Sequence, residues 1–376
     1  MRRLTLILAL VIAPAAVASA GATTSRPLAG SWRLLPKAPI APNNGGVASV
    51  WTGRQMVVFG RAAKIGQGGA TSNRVNVAAA YDPARNTWRR LSPPGPTPSF
   101  MDNDAVWTGK EVLVFGQGTR LAYNPRTNRW RRLPGSPLLS IHDGYGIVAW
   151  TGHELIGWGG GCCGDAFSDG VAYNPATNRW RALAPTPLAG DQGPLGAWTG
   201  HELVLFVSGL NPDTGKPWPA RLARAAAYNP ATNTWRRIAP LPAPRGGASV
   251  VWDGRELLVV GGAAGRTAAR VGFAYNPATN RWRRLPPTDS GRIGAAAVWT
   301  DSRLLLWGGT TSPGGTAVPR HGLAYDPRTN SWSALPQAPL AGRQQPTAVW
   351  TGRSLITWGG GTKTDGATFT PGRRTS

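Results

Sequence analysis

One pattern dominates this chain: Tyr-(Asn/Asp)-Pro-x-x-Asn-x-Trp. It occurs six times, as Tyr81 to Trp88, Tyr123 to Trp130, Tyr173 to Trp180, Tyr228 to Trp235, Tyr275 to Trp282 and Tyr325 to Trp332. The copies stand about 50 residues apart, and self-similarity at such a period means one supersecondary unit repeated into an array or a ring. A length of 376 residues would otherwise suggest two or three domains, but a closed repeat can use all of it in one.

A second signature precedes each copy. A run of small residues ends in Trp-Thr-Gly or a variant, a charged turn follows, and an apolar run then ends in Gly. This unit occurs seven times, at Trp51, Trp107, Trp150, Trp198, Trp252, Trp299 and Trp350. In the fifth copy Gly247 to Trp252 reads as strand a, Asp253-Gly254 as a two-residue hairpin turn, and Glu256 to Val260 as strand b. Gly261-Gly262 ends strand b, Ala263 to Arg270 reads as a loop, and Val271 to Tyr275 as strand c. Asn276-Pro277 opens a turn, and Arg281 to Leu285 is strand d. Four antiparallel strands in that length make one propeller blade.

Seven a–b hairpins stand against six complete c–d pairs. The run Gly366 to Pro371 is a degenerate match to Gly322 to Pro327 and supplies a seventh strand c. Its missing strand d is Ser31 to Pro36, which matches Ser331 to Pro336 and has no Tyr-Asn-Pro before it. The expectation is therefore an all-β, seven-bladed β-propeller over residues 31–371. An N-terminal strand completes the last blade, which leaves no open sheet seam.

The Gly-Gly after strand b, the Tyr-(Asp/Asn)-Pro, the strand-d Trp and the following Leu-Pro-x-x-Pro resemble the kelch repeat. The resemblance covers residues 31–371 and implies the superfamily of the galactose oxidase central domain. Blade two departs from it with a single Gly116, and blade four with Val207-Ser208-Gly209.

Residues 1–20 read as a secretory signal. Arg2 and Arg3 form the basic region, Leu4 to Val17 the apolar run, and Ala18-Ser19-Ala20 the cleavage site. Cleavage after Ala20 and a secreted, extracellular or cell-wall-space protein are expected. A linker over 21–30 and a short tail over 372–376 flank the ring. No later apolar run is long enough to span a membrane.

Fourteen of the 18 tryptophans fall at the two repeated positions and are expected to pack between blades. Trp158, Trp307 and Trp358 end strand b and read as core, which leaves Trp218, in a long blade-four loop, for ligand contact. His153 and His201 read as turn surface, not metal ligands; His142 and His321 lie elsewhere. The net charge of +24 comes mostly from Arg, much of it in pairs beside the strand-d Trp such as Arg131-Arg132 and Arg283-Arg284. A solvated rim is the expectation, with attraction to a polyanionic cell-surface polymer as the functional counterpart. No specific nucleic-acid motif is present. Cys162 and Cys163, the only cysteines, are expected to form a disulfide in an exported chain, although adjacent Cα atoms lie only about 3.8 Å apart.

The b–c loops vary in length while the a–b and c–d turns do not, so the loop face is the expected binding face. Seven residues before each strand-a Trp stand Asn44, Phe100, Asp143, Asp191, Arg245, Arg292 and Arg343, with Tyr145 near by. Asn44, Asp143, Tyr145, Asp191, Arg245, Arg292 and Arg343 are thus the candidate ligand-binding residues. Three arginines in one register suit an anion, and the aspartates suit hydroxyls.

The functional expectation is a binding or interaction module that holds a protein or acidic glycan at the central opening, with no cofactor and no complete catalytic constellation. The resemblance also implies enzymes. A cofactor-free sialate epimerase or mutarotase would need only an acid, a base and an anion clamp. A copper-radical oxidase needs two Tyr, two His and a Cys. The nearest set here is Tyr145, His142 and Cys162, and the adjacent Tyr-His pair of that family is absent.

Overall fold

The computed structural model describes residues 27–41, 47–64, 73–94, 104–116, 119–138, 146–161, 164–208, 222 and 224–372. These form seven antiparallel sheets, six of four strands and one of five, each in the order a-b-c-d. Among the described residues there is no helix, and so none long and apolar enough to cross a membrane. The seven strands a are Ala48–Trp51, Asp104–Trp107, Ile147–Trp150, Leu195–Trp198, Gly246–Trp252, Ala296–Trp299 and Thr347–Trp350. Each touches the strand a of the next blade, and the last touches the first, so they form the innermost ring. Ser49 and Thr347 hydrogen-bond through their hydroxyls where that ring meets itself.

The core lies between blades. Along strand b, side chains alternate between the two faces of the sheet. Val57 and Phe59 of blade one pack against Val112 and Val114 of blade two. Met56 and Val58, one residue out of phase, pack against Ile356 and Trp358 of blade seven. All of these are essentially buried.

The strand-d tryptophans fasten each joint. Every one donates its indole N–H to a carbonyl in the blade before it, four residues past that blade's own strand-d Trp. Trp88 bonds Pro36 O at 3.0 Å, Trp282 bonds Ala239 O at 3.1 Å, and Trp32 bonds Pro336 O at 2.8 Å. Trp130, Trp180, Trp235 and Trp332 repeat the bond.

Blade seven is assembled from both ends of the chain. Gly30–Leu34 pairs antiparallel with Gly366–Pro371, from Gly30 opposite Pro371 to Leu34 opposite Ala367. This is the closure that the repeat count predicts. Two details differ from the sequence reading. The Asp253 N–H bonds Glu256 O, which makes Gly254 and Arg255 the central turn pair. Blade five also has no plain loop after its glycines: strand b runs on to Ala264 and pairs with Thr267–Ala268.

Candidate functional site on the loop face

The residues seven before the strand-a Trp have one shared local role. The guanidinium Nη1 of Arg245, Arg292 and Arg343 donates to Gly261 O at 3.2 Å, Gly308 O at 3.2 Å and Gly359 O at 3.3 Å, each 16 residues along. Each acceptor is the first glycine after strand b of the same blade. The backbone carbonyl of the same position faces the preceding blade. Arg292 O accepts from Gly262 N–H at 2.7 Å, Arg343 O from Gly309 N–H at 3.0 Å, and Asp191 O from Gly160 N–H at 2.9 Å. One residue thus ties two blades at the joints that precede blades four, six and seven. The glycines follow from this. Gly261 has φ +69°, and a Cβ there would lie 2.1 Å from Arg292 O. Only glycine lets the next blade's chain pass so close.

Beyond that shared bond the three arginines differ. Arg343 is buried, donates to Ala341 O at 3.0 Å, pairs with Asp365 Oδ1 at 2.8 Å and lies 5.5 Å from the Trp307 ring. Arg292 is 2% exposed and donates to His321 O at 2.8 Å, while its Nε has no hydrogen-bond partner. Burial lowers its pKa to about 10, against the opposing charge of Asp289. The Asp289 carboxylate bonds His321 Nε2; burial raises its pKa, but His321 outweighs burial and holds it below the ordinary value. Arg245 is only half-buried and lies 5.0 Å over the Phe273 ring. Burial, then the charge of Arg284, lowers its pKa. Asp191 is 7% exposed and accepts N–H bonds from Gly193 at 2.8 Å and Ser208 at 2.6 Å. The side chains therefore reach backbone groups at the ends of strands b and c or in loops. Asn44, Asp143, Tyr145, Cys162 and Cys163, with Phe100, Trp218 and His142, lie outside the described residues.

Residues 244–288, which are blade five with its flanks, match the model of the Kelch motif. The chain is a seven-bladed β-propeller whose fifth blade carries a Kelch motif. No curated protein matches it in sequence. Among solved structures, this propeller is similar to a novel fungal alcohol oxidase with catalytic diversity among the AA5 family, in complex with copper. The TM-score is 0.70 at 14% identity, over 91% of this chain and 76% of that one. At that identity the likeness is one of fold.

Among the described residues, the tyrosines and histidines do not gather at one place. Six of the seven tyrosines are buried in strand c, where each hydroxyl donates to the turn Asn five residues on, as Tyr275 does to Asn280 at 2.9 Å. His153 and His201 are exposed on the opposite, turn face. Among the described residues no three His, Cys, Asp or Glu stand close enough to hold a metal ion.

The turn face holds a network that the sequence reading missed. In blades two to five the residue before strand b is Glu111, Glu154, Glu202 or Glu256. Each pairs at 2.6 or 2.7 Å with an arginine of its own strand d: Arg131, Arg181, Arg236 or Arg283. Three of those arginines also donate to a tyrosine hydroxyl of the next blade: Arg131 to Tyr173, Arg181 to Tyr228 and Arg283 to Tyr325, at 2.8 to 3.4 Å. The Glu raises the arginine pKa further above its ordinary value. One arginine of each rim pair is thus a joint residue. A signal was present: the turn Glu and the strand-d Arg occur together in four blades, and blade six exchanges both, for Arg303 and Ser333.

Between the turns of blades four and five these residues border a cavity of about 560 Å³, lined by Trp252, His201, Glu202 and Arg236 among others. The equivalent cavity between blades seven and one is about 540 Å³.

Proposed function

We propose that the protein is an exported binding module that holds a protein or an acidic glycan on its loop face. The observation that carries this reading is how the polar side chains of that face are used. Arg292, Arg343 and Asp191 bond backbone groups of strand ends and loops, and so shape a rigid platform. Variable b–c loops rise from it. Arg245 is the least committed of the register. It makes one bond, to Gly261 O, and is half-buried over an aromatic ring. A carboxylate approaching it would gain a charge-assisted bond without breaking a joint. Asn44 and Asp143, at the same repeat position in sequence, and Tyr145 near by are included in the proposed site, although they lie outside the described residues. Export rests on the basic, apolar and small-residue order of residues 1–20.

A glycan array and pull-down from extracellular material, run on the wild type and on Arg245→Gln, test this reading. Binding of an acidic glycan or one protein, weakened in the variant, supports it. Absence of any retained ligand, or equal retention by the variant, overturns the assignment of the loop face. Recovery of exported protein that begins with Met1 would overturn the leader.

A further inference from the structure

Four joints of the turn face pair a glutamate with the strand-d arginine, and the joint of blades seven and one keeps the arginine without the glutamate. At the joint of blades four and five, Glu202 neutralises Arg236 under the Trp252 ring. At the joint of blades seven and one, the same three positions hold Ser354, Arg33 and Trp51. The Ser354 hydroxyl is engaged by Thr370 at 2.7 Å, within its own blade. No described carboxylate pairs with Arg33, which reaches only the Tyr81 hydroxyl of blade one. Burial raises the Tyr81 pKa, and Arg33 opposes that rise.

The rest of the lining adds to the charge. Arg54 and Arg353 stand beside the pocket where blades four and five place Arg255 and His201. Arg54 has only Asp82 near it, at 3.7 Å, and Asp82 is already bonded by Arg85 at 2.9 Å. Thr351, Ser354, Thr368 and Thr370 give the pocket a hydroxyl wall, and Trp51 gives it an aromatic one.

We propose that this pocket binds the carboxylate of an acidic saccharide. In blades two to five the partner of the arginine at this position is a carboxylate at 2.6 or 2.7 Å, so the local geometry is already suited to one. Guanidinium groups take carboxylates by paired, charge-assisted bonds. The indole of Trp51 offers an apolar face to a sugar ring, and the hydroxyl wall offers partners for its OH groups. This site is on the opposite face from the loops, and its residues are not those of the loop-face reading.

Calorimetric titration with glucuronate tests it, with glucose and acetate as controls. Glucuronate is expected to bind in the millimolar range or tighter, and glucose and acetate at least about tenfold more weakly. Ser354→Glu installs the carboxylate that blades two to five carry at this position. It is expected to abolish glucuronate binding while the melting temperature stays level or rises. Arg33→Gln should weaken binding by about tenfold or more, and Arg328→Gln, in the exposed c–d turn of blade six, should leave it unchanged. Three results would each overturn the proposal: no glucuronate binding by the folded wild type, undiminished binding by folded Ser354→Glu, or acetate binding as tight as glucuronate.

Discussion

Blade five and blade seven share an architecture but not a chain path. Blade five is one continuous segment with a c–d turn, whereas blade seven joins Gly366–Pro371 to Gly30–Leu34 across the whole length of the protein. The difference separates what the sheet needs from what the turn needs. Both blades keep the strand-d Trp, with Trp282 and Trp32 each bonded to the blade before. Only blade five keeps the Tyr and the Asn. Asn280 sits at φ 54°, and its side chain accepts the Tyr275 hydroxyl. Blade seven has no such turn, and Phe369 stands where the tyrosine would, fully buried, its ring tip against Gly30. The tyrosine hydroxyl is therefore a turn lock, and the tryptophan is a joint.

Removing the far strand should have the largest effect. Deletion of residues 21–36 takes away strand d of blade seven and the Trp32 bond, and exposes a row of unpaired backbone groups. Loss of a cooperative melting transition, with aggregation in light scattering, is expected; a melting curve like the wild type's would break the closure argument.

Next come the two tryptophans. Trp32→Ala and Trp282→Ala should each cost about 3–5 kcal/mol in denaturant unfolding, because both leave a large cavity and an orphaned carbonyl. Similar costs would confirm that a joint is the same whether its strand is near or far in sequence. A cost under about 1 kcal/mol for Trp32→Ala would deny it.

The third test exchanges the tyrosine and the phenylalanine. Phe369→Tyr buries a hydroxyl with no asparagine to meet it and should destabilise by about 1–3 kcal/mol, while Tyr275→Phe should cost about 1 kcal/mol. If Phe369→Tyr proves stabilising, the turn-lock account of the tyrosine fails.

The smallest effect concerns acid. Arg343 of blade seven has Asp365 beside it, whereas Arg245 of blade five lies over Phe273. Burial raises the Asp365 pKa, but Arg343 outweighs it and leaves the group below its ordinary value. A carboxylate depressed in the folded state contributes stability above the unfolded value of about 4, and that contribution is lost as pH falls through the folded value. Asp365 is half-exposed, so the contribution is held to under about 1 kcal/mol. Asp365→Asn should therefore flatten the stability curve below about pH 4 and lower stability slightly at pH 7. Superimposable acid limbs for the two proteins would remove the pair from the account.

The fold was legible because its cause is periodic. Trp, Tyr and Gly recur at fixed offsets, and the count of seven hairpins against six pairs pointed to a strand from the other end. The Glu–Arg joints were equally periodic. They escaped because the pairs beside the strand-d Trp were read as surface charge, one residue at a time. Arg292 and Arg343 were legible as a register but not as to their partners. Apart from Asp365 beside Arg343, these partners are backbone carbonyls, which carry no residue signature. The fixed interval of 16 residues to the first glycine was the available clue, and it becomes meaningful only once that glycine is known to end strand b.

The closing bond between the two ends of the chain also sets an order in time. Gly30–Leu34 leaves the ribosome long before its mate, Gly366–Pro371, with six blades of chain made in between. At about 5–20 residues per second the wait lasts tens of seconds. Throughout it, Trp32 has neither its partner strand nor the Pro336 carbonyl to bond. The six continuous blades can form their hairpins as they appear, but the ring can become one cooperative object only once Gly366–Pro371 has been made. Until then the earliest tryptophan-bearing strand is a waiting edge, and whatever keeps it from pairing with another chain in that interval governs how much protein is recovered.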